Sequence, residues 1–266
     1  MPHPSGLITL LTDFGDRDWF VASMKGVILS INPRATIIDL NHHVPPHAVE
    51  DAAYLLKSCY RHFPDGTVHV AVVDPGVGSE RRPLIVKSSR YFFLAPDNGL
   101  LTHVFEEEKE VEVREIENRR FRLESDGHTF DGRDLFAPAA SWLVKGETFE
   151  SFGSVLQAYR KWSIVAPRWE GRQLIGEVAY VDRFGNLITN VTKADWDEVT
   201  RVTKNVNPSI CIANHVIEGL VGSYSAGKKD GPSAVINSNG LLEIFVKESS
   251  ASSHLSVVRG ETVSLN

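Results

Sequence analysis

The regular alternation of buried strand and amphipathic helix through the first half of the chain constrains its fold more than any other feature. Leu7–Thr12 (LITLLT) is a short apolar run of the kind a strand covered on both faces requires. Phe20, Val21, Met24, Val27, Ile28 and Ile31 then recur at helical spacing, and Asn32-Pro33 closes that helix, because the residue before proline is pushed out of the helical region. Ala35–Leu40 reads as a second strand. Val49, Ala52, Ala53, Leu56 and Tyr60 mark a second helix, and Val68–Val73 a third strand. Strands separated by helices of this length predict an α/β domain with a largely parallel sheet. Leu84–Val86, Tyr91–Leu94 and Val111–Ile116 add shorter strands, and Leu135–Val144 a late helix.

The pattern changes after Val165. Ala166–Gly171 (APRWEG) reads as a linker, and beyond it come short strand candidates separated by turn residues: Ile175–Val181, Leu187–Val191, Ser209–Ile212, Ala234–Asn237, Leu241–Val246 and Thr262–Leu265. That spacing predicts a small antiparallel barrel or sandwich. The expected domains are therefore 1–165 and 172–266. The serine-rich stretch Ser249–Ser253 reads as an exposed loop.

Composition narrows the function classes. With 42% hydrophobic and 23% charged residues the chain is globular rather than disordered, and 266 residues hold one or two domains. A net charge of −6 argues against nucleic acid or an anionic membrane as partner. Cys59 and Cys211 are the only cysteines, which excludes a disulfide framework and a cysteine-based zinc site. No secretory signal opens the sequence, and no run reaches the roughly 18 apolar residues of a membrane span, so a cytoplasmic protein is expected.

In an open parallel sheet, ligands bind beyond the carboxyl ends of the strands. Asp13 follows the first strand and Asp74 the third. An N-cap for the next helix is equally open to Asp13, and a plain turn to Asp74-Pro75-Gly76. Arg81, seven residues after Asp74 across a glycine-containing loop, can fold back to pair with it or remain a solvated charge. In Thr129-Phe130-Asp131-Gly132-Arg133-Asp134, Asp134 reads as an N-cap, and a loop ion pair is open to Asp131 and Arg133. Asp182-Arg183-Phe184-Gly185-Asn186 suits a hairpin turn, as does Asn237-Ser238-Asn239-Gly240. No phosphate-binding glycine motif is present.

Taken together and in this order, these segments resemble one family, the S-adenosylmethionine hydroxide adenosyltransferases, relatives of the bacterial fluorinating and chlorinating enzymes. The resemblance rests on Leu11–Gly15, Val72–Gly78, Ala95–Thr102, Thr129–Asp134, Phe184–Asn186 and Asn237–Gly240, and so spans nearly the whole chain. It implies an α/β N-terminal domain, a small C-terminal β-barrel, and a homotrimer whose sites lie between one subunit's first domain and a neighbour's second. It also implies that Asp13 holds the ribose hydroxyls, that Phe184 and Asn186 line the adenine pocket, and that Asp182 and Ser238 hold the methionine end. Asn98 and Phe130 fall among the substrate contacts. Asp74 and Arg81 match two members of the family's Asp–Arg–His set for handling water.

The third member differs. The hydrolytic branch carries His where this chain has Asp131, and the halogenating branch Tyr; His128, three residues upstream, is out of register. Asp74 separates the chain from the halogenases, which lack a carboxylate there. The implied reaction is hydrolysis of S-adenosylmethionine to adenosine and L-methionine. Sulfonium leaves as a neutral thioether, so no general acid, metal or cofactor is expected; the demands are in-line placement and polarisation of water. Two other readings stay open: a non-catalytic binder of S-adenosylmethionine or adenosine, and a different nucleoside hydrolase or transferase on the same scaffold.

Overall fold

The computed structural model describes residues 2–266 apart from Ser125 and His128, and its contacts divide the chain into two units, Met1–Trp162 and Ser163–Asn266. In the first unit the strands are β1 (Leu7–Thr12), β2 (Thr36–Asn41), β3 (Val68–Val72), β4 (Pro83–Lys87), β5 (Phe92–Pro96) and β6 (Glu112–Glu115). The helices are α1 (Phe20–Ile31), α2 (Val49–Cys59), α3 (Thr102–Glu107) and α4 (Ala137–Lys145). The sheet order is β2-β1-β3-β5-β4-β6; β2, β1, β3 and β5 run parallel, while β4 is antiparallel to both β5 and β6.

The central strand β3 is buried throughout, and its residues alternate between two cores. Val68, Val70 and Val72 pack with Ile8, Leu10, Met24 and Ile28 on one face, while Ala71 and Val73 pack with Leu56, Val86 and Phe93 on the other. A strand sealed on both faces leaves only its ends for chemistry. On the second face His69 lies fully buried, with Nδ1 2.8 Å from Thr9 Oγ1 and its ring stacked on Phe93. The late helix starts earlier than its apolar spacing suggests: Gly132–Phe136 form a π-helical turn that runs directly into α4.

The second unit contains β7 (Arg168–Glu170), β8 (Gln173–Val181), β9 (Leu187–Thr192), β10 (Ser209–Ile212), β11 (His215–Glu218), β12 (Pro232–Ile236), β13 (Leu241–Val246) and β14 (Thr262–Leu265), with helices α5 (Lys193–Thr203) and α6 (Ala251–Leu255). The antiparallel path β11-β10-β14-β8-β9-β13-β12 curls until its end strands approach, a nearly closed barrel around Val178, Leu187, Val191, Leu242 and Ile244. Three features depart from the sequence reading. Residues 168–170, expected in a linker, form β7 and pair with β8. The serine-rich stretch is not a loop: Ser250 Oγ accepts the Ser253 N–H and starts α6. Helix α5 begins at a capping box, in which Thr192 and Asp195 satisfy each other's backbone N–H groups.

Candidate active site

A cluster of charge forms where the carboxyl end of β3 meets the approach to β4 and the segment before the π turn. Asp74 follows β3 and opens a turn, with the Val77 N–H donating to the Asp74 carbonyl. Asn98, in the loop after β5, donates its side-chain N–H to the Val73 carbonyl at 2.8 Å and accepts the Leu100 N–H. Both polar ends of that amide are thus spent on backbone, and its effect is to pin the residue that carries Asp74.

Arg81 does fold back. Its Nε donates to Asp74 Oδ2 at 2.7 Å, and its Nη2 lies 2.5 Å from that same oxygen. Nη2 also donates to Asp131 Oδ2 at 2.5 Å, so one guanidinium joins the two carboxylates. The set is largely buried: the side chains of Asp74, Asp131 and Arg81 are only 5%, 9% and 11% exposed. Burial works against the Arg81 charge, but its bonds to Asp74 and Asp131 outweigh that penalty and hold its pKa above the ordinary arginine value. With both Arg81 bonds on Oδ2, Asp74 Oδ1 is left buried and accepts no hydrogen bond from the described residues.

Asp131 reaches this set because the backbone before α4 approaches so closely. A Cβ on Gly132 would come 3.0 Å from the Phe14 ring and 3.1 Å from the Phe130 ring. The π turn that follows inserts an extra residue, a distortion frequent at functional sites. Asp74, Asp131, Phe14, Phe20, Val72 and Phe130 then surround a cavity of about 140 Å³. Phe130 packs edge-on against Phe14 and Phe20, with centroids 5.6 and 5.2 Å away. Asp131 also borders a second cavity of about 450 Å³, from which Arg122 Nη2 reaches Asp131 Oδ1 at 3.2 Å.

Several local expectations are corrected. Asp134 is no N-cap; it lies inside the π turn, held by the two-pronged guanidinium of Arg133 at 2.5 and 2.8 Å. Arg133 therefore does not pair with Asp131. Asp13 does not cap α1, whose N-cap is Trp19; its Oδ2 instead accepts the His47 N–H at 2.9 Å. That bond fixes a residue with left-handed backbone, φ +68°. His128 lies outside the described residues.

In the second unit, Asp182, Phe184 and Asn186 share the lining of a pocket of about 760 Å³ with Tyr224, Phe245 and Ser250. Asp182 Oδ1 accepts the N–H groups of Phe184 and Asn186, and its Oδ2 the side-chain N–H of Asn186 at 3.1 Å. The hairpin reading of this segment therefore holds, and the turn that it builds presents Phe184, 76% exposed, at the pocket. Gly185 makes the turn possible: at φ +80° a Cβ would meet Ser250 Oγ at 2.0 Å. Ser238 stands apart from this pocket. It is exposed on the β12–β13 turn, whose Gly240 carbonyl accepts the Lys193 N–H, at the opposite end of β13 from the lining residues Phe245 and Val246. Arg122 and Tyr224 carried no sequence signal, since neither belongs to a motif and each is placed by long-range packing, and Ser250 stood only within a serine-rich stretch read as a loop.

The SAM hydroxide adenosyltransferase N-terminal domain family matches residues 8–153, and the SAM hydroxide adenosyltransferase C-terminal domain family residues 176–264. The "(R)-S-adenosyl-L-methionine hydrolase" of Methanocaldococcus jannaschii is 35% identical over 261 residues, covering 94% of this chain and 92% of the relative. The protein of that name from Thermus thermophilus is 33% identical over 265 residues, covering 97% and 98%. An uncharacterized conserved protein from Thermotoga maritima has a similar crystal structure, with a TM-score of 0.89 at 36% identity and coverage of 97% of this chain and 99% of that one.

Proposed function

That the chain belongs to the SAM hydroxide adenosyltransferase family is the premise from which we propose how its residues act: it hydrolyses S-adenosyl-L-methionine to adenosine and L-methionine, with Asp74 as the group that handles water. The oxygen of water forms a bond to C5′ while the C5′–S bond breaks. The electron pair leaves with sulfur, which becomes the neutral thioether of methionine; one proton of the water passes to Asp74 and on to solvent, and the other stays on the 5′-hydroxyl of adenosine. No proton need be supplied to the leaving group.

One observation carries the role of Asp74. Its Oδ1 is buried beside the small cavity and has no partner among the described residues, while Arg81 holds Oδ2 from two nitrogens. A carboxylate fixed through one oxygen presents the other as an acceptor of set direction, which orients an attacking water and takes up its positive charge as the bond forms. Arg81 and Asp131 keep that carboxylate in place. The aromatic rings of Phe14, Phe20 and Phe130 keep the cavity apolar on its remaining sides, which strengthens every charge–dipole interaction within it.

The substrate-binding assignments belong to the same proposal. Asp13 takes the ribose diol, Phe184 and Asn186 the adenine, and Asp182 the methionine end; Ser238, exposed at the far end of β13 from that pocket, is left without a substrate contact in this reading. Phe130 and Asn98 act closer to the reaction, the first as a wall of the cavity and the second by holding Val73. The pocket around Phe184 has the size and the mixed lining that a nucleoside requires. A homotrimer in the cytoplasm, with the second unit of one subunit completing the site of its neighbour, completes the reading. Among the described residues no helix is long and apolar enough to cross a membrane.

The test is incubation of the protein with S-adenosylmethionine and chromatography for adenosine. Adenosine and methionine in equal amounts are expected. Tight binding without release of either product would establish a binding protein instead.

A further inference from the structure

We propose that Arg122 is a positioning residue for this reaction: it balances the second carboxylate of the site and, by holding the far oxygen of Asp131, lets Arg81 remain on Asp74. The inference rests on the hydrolase reading above and concerns a residue outside every motif that supports it.

The charges require such a group. Asp74 and Asp131 share one guanidinium, so the buried set of three carries one uncompensated negative charge. Two carboxylates on one nitrogen compete for it, and the like charges repel across a short gap where burial weakens screening. Arg122 brings the total to zero. The two oxygens of Asp131 are divided between the cations: Oδ2 accepts from Arg81 at 2.5 Å, and Oδ1 from Arg122 at 3.2 Å. With both oxygens engaged, the carboxyl group cannot rotate to draw the Arg81 fork away from Asp74.

Among the described residues the other charged groups nearby do not substitute. Asp134 and Glu124 line the second cavity with Arg122 but are acidic, and Asp134 is engaged by Arg133. Arg119 lines the same cavity, yet it is Arg122 that reaches Asp131. The Arg122 side chain is 35% exposed, so water and salt screen its charge. Its influence should therefore be moderate and should fade as salt rises, unlike that of Arg81.

The experiment is a double-mutant cycle on the full chain with Arg122→Ala, Asp131→Asn and the double substitution, plus Arg122→Lys as the conservative variant. Turnover of S-adenosylmethionine, adenosine affinity and denaturant unfolding are measured for each. Arg122→Ala should lower kcat about tenfold at low salt, with adenosine affinity unchanged, because positioning of Asp74 is felt only in the reaction. Arg122→Lys should recover most of that loss. In the Asp131→Asn background, removing Arg122 should change kcat less than about twofold. Equal losses in both backgrounds, or no loss in the single variant, would overturn the proposal. So would coupling in unfolding without coupling in kcat, since that leaves Arg122 a purely structural residue. A wild-type protein that releases no adenosine would instead remove the hydrolase reading itself, a result distinct from an active enzyme that is indifferent to Arg122.

Discussion

Asp74 and Asp131 are joined through a single atom: Nη2 of Arg81 lies 2.5 Å from Oδ2 of each. Neither carboxylate can move without disturbing the other's partner. The consequence is that one oxygen, Asp74 Oδ1, is left buried with no hydrogen bond from the described residues.

This coupling makes Asp131 testable by charge alone. Asp131→Asn keeps the shape of the side chain and one acceptor oxygen while removing the charge that Arg81 and Arg122 both contact. Because that charge helps to hold Arg81 against Asp74 during the reaction, turnover should fall by about tenfold, equivalent to about 1.4 kcal/mol of transition-state stabilisation. Steady-state adenosine release checks this, and an unaltered kcat would mean that Asp131 is a bystander.

Asp13 should matter for binding. As the proposed partner of the ribose diol, its replacement in Asp13→Ala should weaken adenosine binding by about 1.5–3 kcal/mol, the range for hydrogen bonds to a charged group. Because Asp13 also accepts the His47 N–H, the folded state of the variant must be confirmed by circular dichroism before calorimetry. Unchanged affinity in a folded variant contradicts the assignment.

Gly185 is a backbone requirement of the second pocket. An alanine there would combine a left-handed φ of +80° with a Cβ 2.0 Å from Ser250 Oγ. Strain of about 1–2 kcal/mol from the backbone and about 1–3 kcal/mol from the clash should add. Gly185→Ala should thus lower the urea midpoint clearly, and a wild-type midpoint would show that α6 moves aside at little cost.

Stability should fall on mild acidification. Burial pushes the His69 pKa from 6.5 down to about 3, so the folded protein keeps that ring neutral. The unfolded chain takes up the proton first, because its pKa is the higher of the two. Stability from the neutral ring is therefore complete above pH 6.5 and is lost as pH falls toward 3, by up to about 1.4 kcal/mol per pH unit. His103, pushed down to about 4 by burial and then by Lys57, acts in the same direction. Urea midpoints at pH 7 and 5 check this: the wild type should be less stable at pH 5, and His69→Gln should show a shallower dependence. Equal wild-type midpoints would contradict it.

What could be read beforehand depended on how local its cause was. The strand Leu7–Thr12 and the helix ending at Asn32-Pro33 follow from short-range pattern, and both stand where expected. The capping box of α5, Thr192 with Asp195, was equally local but was masked by the strand-rich pattern around it. β7 and α6 depend on partners, β8 for one and Gly185 for the other, that no window of sequence contains. The pairing of Asp74 with Arg81 spans seven residues and was within reach of sequence reasoning. That of Arg81 with Asp131 spans fifty and exists only because the π turn before α4 begins where β3 ends.

The most direct test of the account is the fate of the attacking oxygen. S-Adenosylmethionine is incubated with the protein in ¹⁸O-labelled water, and both products are weighed by mass spectrometry, for wild type and Asp74→Asn. Attack of water on C5′ predicts one heavy oxygen in adenosine and none in methionine. It also predicts a rate about a hundredfold lower in the Asp74→Asn variant, as expected when a positioned base is removed. Adenosine without the label, or formed equally fast by Asp74→Asn, would contradict the assignment of water to Asp74 Oδ1.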